Sequence, residues 1–290
     1  MATVAAHTAD DVLAVRRGVG VWLRSDCTFV RFTGKDVASW LQSQTSNDVV
    51  KLESGEGHAN ALLNRHGRLQ AHFTLHRWQD EYWMLVERDQ APRLLEQLDE
   101  HLFIEDVQIE ETGDDLDQVV VQGSKAVGFL ASLLDGGDID FLKLFPNAAH
   151  GVHPVELLGI EALAFRESLT GEDGFVLVVE RGQGEDLMEA LIDRGGFMGI
   201  RVISPEAREA LRIESGIPKF GVDIDSSCTI PETTLEREAV SYEKGCYLGQ
   251  EVVARLRTYG PVKQALMGLV FDGTEVPAPG SEVSVDGKRV

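Results

Sequence analysis

Cysteine is scarce in this sequence: Cys27, Cys228 and Cys246 are its three cysteines, and no pair of them has the CxxC spacing. An odd number without that spacing predicts neither a disulfide framework nor a four-thiolate metal site. The eight histidines include no HExxH motif, so the sequence predicts no bound metal. Few, unpaired cysteines favour a reducing compartment.

Basic residues are also few, since 27 Lys and Arg accompany 48 Asp and Glu, for a net charge of −21. The field of such a chain repels polyanions, which argues against nucleic acid as a direct partner. No stretch approaches the roughly 18 apolar residues of a membrane span. Residues 1–11 contain acids but neither Lys nor Arg, unlike a signal or transit peptide. We therefore expect a cytoplasmic protein with no membrane partner.

What the chain does have is a globular composition, with 43% apolar and 26% charged residues. Its 290 residues suggest two domains. A strand pattern over residues 27–33 precedes a helical pattern over 35–44, and apolar runs at 57–64, 68–78 and 81–87 predict an antiparallel meander. Meanders without regular βαβ alternation predict an α+β fold.

The rest of the chain repeats this mixture of helices and strands. The predicted helices lie near 91–101, 124–134, 185–194 and 205–214, and the predicted strands near 118–122, 160–167 and 175–180. The acidic residues 110–117 are either a connection between two lobes or simply a solvated loop. From residue 262 onward the pattern is all strand, with strands at 265–271 and 282–285 and a hairpin turn at Asp286-Gly287.

The densest group of reactive residue types is Lys244-Gly-Cys-Tyr-Leu-Gly-Gln-Glu251. The segment from Lys244 to Lys263 contains four basic residues and one acidic residue, so its local charge is +3. A cysteine beside a lysine, in a glycine-flanked turn before a helix, favours the thiolate. The alternative is an inert cysteine buried in a tight turn.

The segment 244–251 resembles the signature of the YgfZ-type folate-binding proteins, which maintain iron–sulfur clusters and are related to the T-protein of glycine cleavage. Four other segments are similar to this superfamily in the same order: residues 34–48, 63–68, 170–175 and 211–221. The resemblance implies two α+β lobes framing a central folate channel in residues 1–261, with a lobe boundary near 110–117. It also implies that residues 262–290 begin a C-terminal β-barrel that is incomplete in this chain.

The resemblance also suggests residues that bind tetrahydrofolate or a one-carbon derivative. Glu172 could accept paired N–H bonds from the pterin, although a surface hairpin loop is the alternative. Arg212 and Glu214 lie at the end of the predicted helix near 205–214, and the guanidinium there could pair with the glutamate tail of folate. The alternative for both residues is an internal salt bridge. Asn47 and Asp48 line the channel or cap the first helix. Gln250 belongs to the motif that follows Cys246.

One position departs from the aminomethyltransferases, in which a strand of this kind carries an acidic pair shortly after a glycine. At the matching place this chain has Gly67-Arg-Leu-Gln-Ala71-His72, so Ala71 and His72 replace the acids. Without a carboxylate, the stabilisation of a cationic intermediate loses a contribution of several kcal/mol. His72 is either a substitute or a structural residue.

The resulting hypothesis is a folate-binding accessory protein for iron–sulfur cluster assembly or repair, and not a classical aminomethyltransferase. Cys246, kept partly as thiolate by Lys244 and the nearby arginines, would contact a cluster, a sulfur carrier or an oxidant. Its partners would be folate and, transiently, iron–sulfur proteins or cluster carriers. The alternative is a folate-dependent aminomethyltransferase or demethylase.

Overall fold

The computed structural model describes residues 2–113, 115–134, 141–145, 149–259, 262, 264–272, 277–278 and 280–289. The helices are α1 (Ala2–Arg17), α2 (Val37–Gln44), α3 (Ala91–Asp99), α4 (Ala126–Leu133), α5 (Gly184–Gly195), α6 (Pro205–Glu214), α7 (Glu236–Ala239) and α8 (Gln250–Tyr259). The strands are β1 (Gly20–Arg24), β2 (Cys27–Thr33), β3 (Gly57–Leu63), β4 (Leu69–Trp78), β5 (Glu81–Glu87), β6 (Gln108–Glu111), β7 (Leu116–Gln122), β8 (Val152–Leu157), β9 (Ile160–Arg166), β10 (Gly174–Glu180), β11 (Arg201–Val202), β12 (Ser284–Val285) and β13 (Lys288–Arg289).

These strands form two large sheets, both open. The first has five strands in the order β3-β4-β5-β2-β6, and every neighbouring pair is antiparallel. The second has six strands in the order β11-β1-β7-β10-β9-β8, and only the short pair β1 and β11 is parallel. The chain enters the second sheet at β1, builds the first from β2 to β6, and returns to the second at β7.

The two sheets pack face to face. In the first sheet, Phe29 of β2 lies opposite Leu85 of β5, and both belong to a buried cluster with Val120 and Val176 of the second sheet. Because side chains alternate between the faces of a strand, neighbouring residues point away from this interface. Those outer residues pack on helices: Phe73 belongs to a cluster with residues of α2 and α3.

The outer face of the second sheet is covered by α4 and α5, whose Phe129 and Leu187 join Val119 and Val121 of β7 in a separate buried cluster. A fourth cluster joins β3 and β4 to the segment that follows α6. It contains Ala61 and Leu69 together with Ile230, Tyr247 and Val253. The Lys244 motif therefore packs against one end of the first sheet.

The structure confirms the mixed α+β class and the meander, whose three strands begin and end within one residue of the patterns at 57–64, 68–78 and 81–87. The strand predicted at 265–271 is wrong, because the described residues of that segment form no strand and Met267 and Val270 are exposed. An extended segment needs a neighbouring strand to satisfy its backbone groups. Asp286-Gly287 does turn a short hairpin between β12 and β13.

The predicted C-terminal barrel stays a prediction, since the described residues beyond 261 contain that hairpin and no closed sheet. The division into domains also stays a prediction. The acidic segment 110–117 holds the end of β6 and the start of β7, and thus includes the crossover from one sheet to the other. None of the described helices is long and apolar enough to cross a membrane.

Candidate functional site

Lys244 is buried, and its ammonium is surrounded by backbone oxygens at the end of α2. Nζ donates to the carbonyls of Gln42 (2.6 Å), Thr45 (2.6 Å) and Asn47 (2.8 Å). These carbonyls follow or end a helix and lack partners within it, so a lysine is a suitable cap. Burial lowers the pKa of Lys244 to about 8, and the Asp48 carboxylate opposes that shift. The ammonium expected beside Cys246 is thus held by three carbonyl oxygens instead.

Asn47 and Asp48 follow that helix and are also hydrogen-bonded within the protein. The Asn47 amide donates to the carbonyls of Ala59 (2.9 Å) and Glu238 (2.8 Å), and so ties α2 to β3 and α7. Asp48 accepts from Gln42 and lies 2.9 Å from Lys51 Nζ. Burial raises the pKa of Asp48, but the bonds from Lys51 and Gln42 outweigh burial and hold it below the usual range.

Cys246 is exposed, whereas Cys27 is buried and Cys228 half-buried, and all three are free thiols. Burial raises the pKa of Cys27 to about 12, which leaves it almost entirely protonated. Gln250, the last predicted binding residue of the motif, begins α8 and is half-buried. Exposure is compatible with a reactive Cys246, whose reactivity stays a prediction.

Glu172 and Glu214 lie together because Arg16 bridges them. Arg16 Nη1 is 3.0 Å from Glu172 Oε1, and Nη2 is 3.1 Å from Glu214 Oε2. Arg16 lies in the last turn of α1, Glu214 ends α6, and Glu172 lies in the turn between β9 and β10. Two of the three carboxylates predicted to contact folate thus share one guanidinium.

Arg212 forms internal salt bridges, as the alternative interpretation of this residue had it. Its Nη2 is 2.6 Å from Glu209 Oε1, and its Nη1 is 2.6 Å from Asp223 Oδ2. The hydrogen bonds to Glu209 raise the pKa of Arg212, although burial opposes them. To bind a folate carboxylate, Arg212 would have to exchange one of these partners.

Unpaired polar atoms lie in the layer between the two sheets. Arg24 and Gln118 are opposite each other on β1 and β7, two residues from the interface pair Trp22 and Val120. His72 is two residues from Thr74, which pairs with the interface residue Leu85. Among the described residues, Arg24 Nη1, Gln118 Oε1 and His72 Nδ1 are buried without a hydrogen-bond partner. Burial lowers the pKa of His72 to about 4, so this imidazole is neutral near pH 7.

Glu87 is a carboxylate in the same layer that the sequence analysis did not identify. It is two residues beyond Leu85 on β5, and therefore points to the same face as His72 on the neighbouring strand. Burial raises the pKa of Glu87, and the charges of Lys219 and Arg24 and a hydrogen bond from Gln90 partly offset this. A carboxyl group thus exists near the strand position where the acidic pair is absent.

A separate cavity of about 370 Å³ lies at one edge of the sheet interface. Its lining includes Glu56 and His58 at the start of β3, His150 before β8, and Glu238 of α7. Behind His150 is the buried carboxylate of Glu167, which lies 3.1 Å from His150 Nδ1 and 3.0 Å from His76 Nε2. The sequence analysis missed this cluster because Glu167 and His150 are far from β4 along the chain.

Comparison with known proteins identifies the family of this chain. The model of the GCVT N-terminal domain matches residues 2–244. The chain belongs to the GCVT family. Its relatives include aminomethyltransferases of Caldanaerobacter subterraneus subsp. tengcongensis, 27% identical over 96% of this chain and 72% of the relative, and of Streptomyces avermitilis, 28% identical over 97% and 75%.

The fold agrees with a solved structure of the same family. The glycine cleavage system aminomethyltransferase T of Bartonella henselae superposes with a TM-score of 0.73 at 22% identity, over 88% of this chain and 67% of that protein. The resemblance to the T-protein superfamily is therefore confirmed. The named relatives are aminomethyltransferases, so the comparisons favour the alternative function over the iron–sulfur role.

Proposed function

We propose that this chain binds tetrahydrofolate between its two sheets and takes part in the transfer of a one-carbon group. The family and the names of the relatives support this. The observation that carries it is the set of unpaired buried polar atoms in that layer, Arg24 Nη1, Gln118 Oε1 and His72 Nδ1. Each buried atom without a partner costs about 1–3 kcal/mol, so a bound ring with complementary amide and amine groups would stabilise the layer.

A ring bound in this layer would meet a donor and an acceptor on neighbouring strands, because Arg24 and Gln118 are paired across β1 and β7. Arg24 offers a donor and Gln118 an acceptor, while neutral His72 offers either, depending on its tautomer. Bound tetrahydrofolate would supply the nitrogen that carries the one-carbon group. Glu172, Arg212, Glu214, Asn47, Asp48 and Gln250 remain proposed folate contacts, and the first three would first have to release their present ion pairs.

Binding is tested by calorimetric titration with tetrahydrofolate. Arg24→Met should weaken binding about ten- to hundredfold, because a charged hydrogen bond contributes about 1.5–3 kcal/mol. Arg17→Met, on the exposed surface of α1, is the control and should bind as the unchanged protein does. The proposal fails if neither the unchanged protein nor its variants bind tetrahydrofolate.

Glu87 is the residue that would support aminomethyl transfer in the absence of acids at positions 71 and 72. A carboxylate near the reacting nitrogen can act as an acid or base and stabilise a developing cation. Ammonia release from an aminomethyl-lipoyl carrier in the presence of tetrahydrofolate measures this activity. Glu87→Gln should lower kcat about a hundredfold or more, while Glu96→Gln on the exposed face of α3 should leave it unchanged.

A second candidate function is the accessory role in iron–sulfur cluster maintenance typical of the YgfZ-type proteins. Two observations favour it: Ala71 and His72 stand in place of the acidic pair, and the motif residue Cys246 is exposed. In this case the protein binds tetrahydrofolate but releases no ammonia. Cys246→Ser would then abolish support of iron–sulfur enzymes in cells lacking the protein, while Cys228→Ser would retain it.

A further inference from the structure

The cavity beside β3 is open to solvent and large enough for a small ligand. Its volume of about 370 Å³ lies within the usual range for small-molecule sites. Residues from three separate segments contribute to it: the start of β3, the residues before β8, and α7. Asn47 fixes two of these segments, because its amide donates to the carbonyls of Ala59 and Glu238. Asn47 thus links two of the segments that form the wall of the cavity.

Its polar groups are mostly acceptors. Glu56 and Glu238 contribute two carboxylates to the lining. His58 Nδ1 contacts the Ala59 carbonyl at 3.1 Å, so this nitrogen is the donor, and the buried Nε2 is an acceptor with no partner among the described residues. Burial lowers the pKa of His58 to about 4, which keeps the ring neutral. A ligand that fits these groups carries N–H donors and positive charge.

His150 is positioned by Glu167. Nδ1 of His150 faces the Glu167 carboxylate at 3.1 Å, so the proton of a neutral ring resides on Nδ1 and Nε2 is left as an acceptor. Glu167 is fixed from its other side by His76, whose ring also contacts the His150 carbonyl at 3.1 Å. A carboxylate that orients an imidazole in this way is a common device for placing an acid or base group.

The charges around His150 come from several elements. Burial lowers the pKa of His150, but Glu167 and Glu238 together outweigh burial and raise it, while the Arg166 guanidinium opposes the two carboxylates. His76 and neutral His58 are the neighbouring imidazoles, and Glu56 is the remaining carboxylate of the lining. When the His58 and His150 rings are neutral, the carboxylates of Glu56 and Glu238 give the cavity lining a negative charge.

We propose that this cavity binds a small protonated amine, with its N–H groups directed to Glu238, His58 and the Nε2 atom of neutral His150. No three His, Cys, Asp or Glu side chains among the described residues are arranged to hold a metal ion, so the proposed ligand is an organic cation. Protonation of His150 removes an acceptor and adds a positive charge. Amine binding and proton binding at His150 are therefore mutually exclusive, and the site releases its ligand as the pH falls. This inference does not depend on folate binding.

The test uses n-butylammonium as the probe, with butyrate and tetramethylammonium as comparison ions. Imidazole NMR signals of His150 and His58 should shift with butylammonium, and weakly or not at all with an anion or with a cation lacking N–H groups. Affinity should fall as the pH is lowered from 8.5 to 6. Saturating butylammonium should lower the pKa measured for His150, as linkage requires.

Two variants separate binding from folding. Glu238→Gln should weaken butylammonium binding about two- to fivefold, while the exposed Glu243→Gln, outside the lining, should not. Glu167→Gln should move the midpoint of the pH dependence to lower pH, because His150 loses its carboxylate partner; a merely structural residue would leave that midpoint unchanged. Preferential binding of butyrate, tighter binding at low pH, or no binding of butylammonium would each overturn the proposal.

Discussion

Lys244 has a structural part in the fold, because its ammonium group binds backbone carbonyls of another segment. Its three donors meet three carbonyls at the end of α2, and its ring neighbour is Tyr247, whose centroid is 5.0 Å from Nζ. The ammonium therefore joins the C-terminal segment to the first sheet. These buried carbonyls need a donor, which Lys244 provides. A role of Lys244 in the chemistry of Cys246 stays a prediction.

Replacing Lys244 by Met should destabilise the protein by about 3 kcal/mol, because buried carbonyl oxygens are left without donors. Urea denaturation measures the change in the free energy of unfolding. Lys51→Met is the control, since the Lys51 side chain is largely exposed, and it should change stability little. Equal losses of stability in the two variants would show that the three hydrogen bonds from Lys244 to these carbonyls do not stabilise the protein.

The three cysteines should differ in their rates of alkylation. Cys246 should react with iodoacetamide first, because it is exposed, and Cys27 last, because burial both shields it and raises its pKa to about 12. Cys228 should fall between them. Peptide mass spectrometry after brief labelling at pH 7.5 gives the order, and a Cys27 as reactive as Cys246 would contradict it.

The sequence suggests candidate site residues more readily than it shows what these residues contact. The motif around Cys246 and the departure at Ala71 and His72 are visible as strings of letters. The partner of Glu172 is not, because Arg16 reaches it only through the packing of α1 on α6. Glu87 was missed for a related reason: only the register of β4 with β5 reveals that it faces the same side as His72.

At the scale of elements, periodicity predicts the strands of the meander but not the short or unusual ones. Residues 57–87 alternate with turns at Gly67 and Asp80, so their pattern is clear. Strand β8 contains His153 and Pro154, which dilute the apolar alternation, and it lies at the edge of its sheet, where proline is tolerated. Helix α1 was missed because its apolar residues are mostly alanine and valine.

Two glycines should respond in opposite ways to alanine. At Gly57, the first residue of β3, a Cβ would lie 2.1 Å from the His150 carbonyl oxygen and 2.6 Å from His76 Nδ1, so Gly57→Ala should destabilise the contact between the sheets. At Gly128 in α4 a Cβ meets nothing within 4 Å, and Gly128→Ala should stabilise the protein by about 0.5–1 kcal/mol. Thermal unfolding of both variants measures this. An unchanged melting temperature for Gly57→Ala would contradict the close approach of His150 and His76 to Gly57.

At the scale of the whole molecule, the cluster of His76, His150 and Glu167 joins the two sheets. His76 belongs to β4 of the first sheet, while His150 and Glu167 flank β8 and β9 of the second. The His76 ring also packs edge-on against Phe165, with ring centroids 4.8 Å apart. A buried charged cluster at this place makes the packing of one sheet on the other dependent on pH.

The direction of that pH dependence follows from the shifted pKa values of Glu167 and His150. Burial would raise the pKa of Glu167, but the two histidines outweigh it and hold it below its ordinary value of 4.5, so this stabilisation is present above about pH 4.5 and lost at lower pH. The pKa of His150 is raised above 6.5, so its stabilisation is complete below about pH 6.5 and lost as pH rises through the folded value. Both contributions are present together between about pH 4.5 and 6.5.

The difference in unfolding free energy between the unchanged protein and Glu167→Gln should therefore be largest near pH 5.5. Removing one member of a buried ion pair costs about 3 kcal/mol or more, and the difference should shrink toward pH 8.5 as His150 loses its proton. Because both proteins share every other titrating group, the contributions of those groups to the unfolding free energy largely cancel in the difference. Urea denaturation from pH 4.5 to 8.5 measures the curve, with His101→Gln at the exposed end of α3 as the control. A difference that stays constant across this range would mean that Glu167 stabilises the sheet contact by packing alone, without the charge of His150.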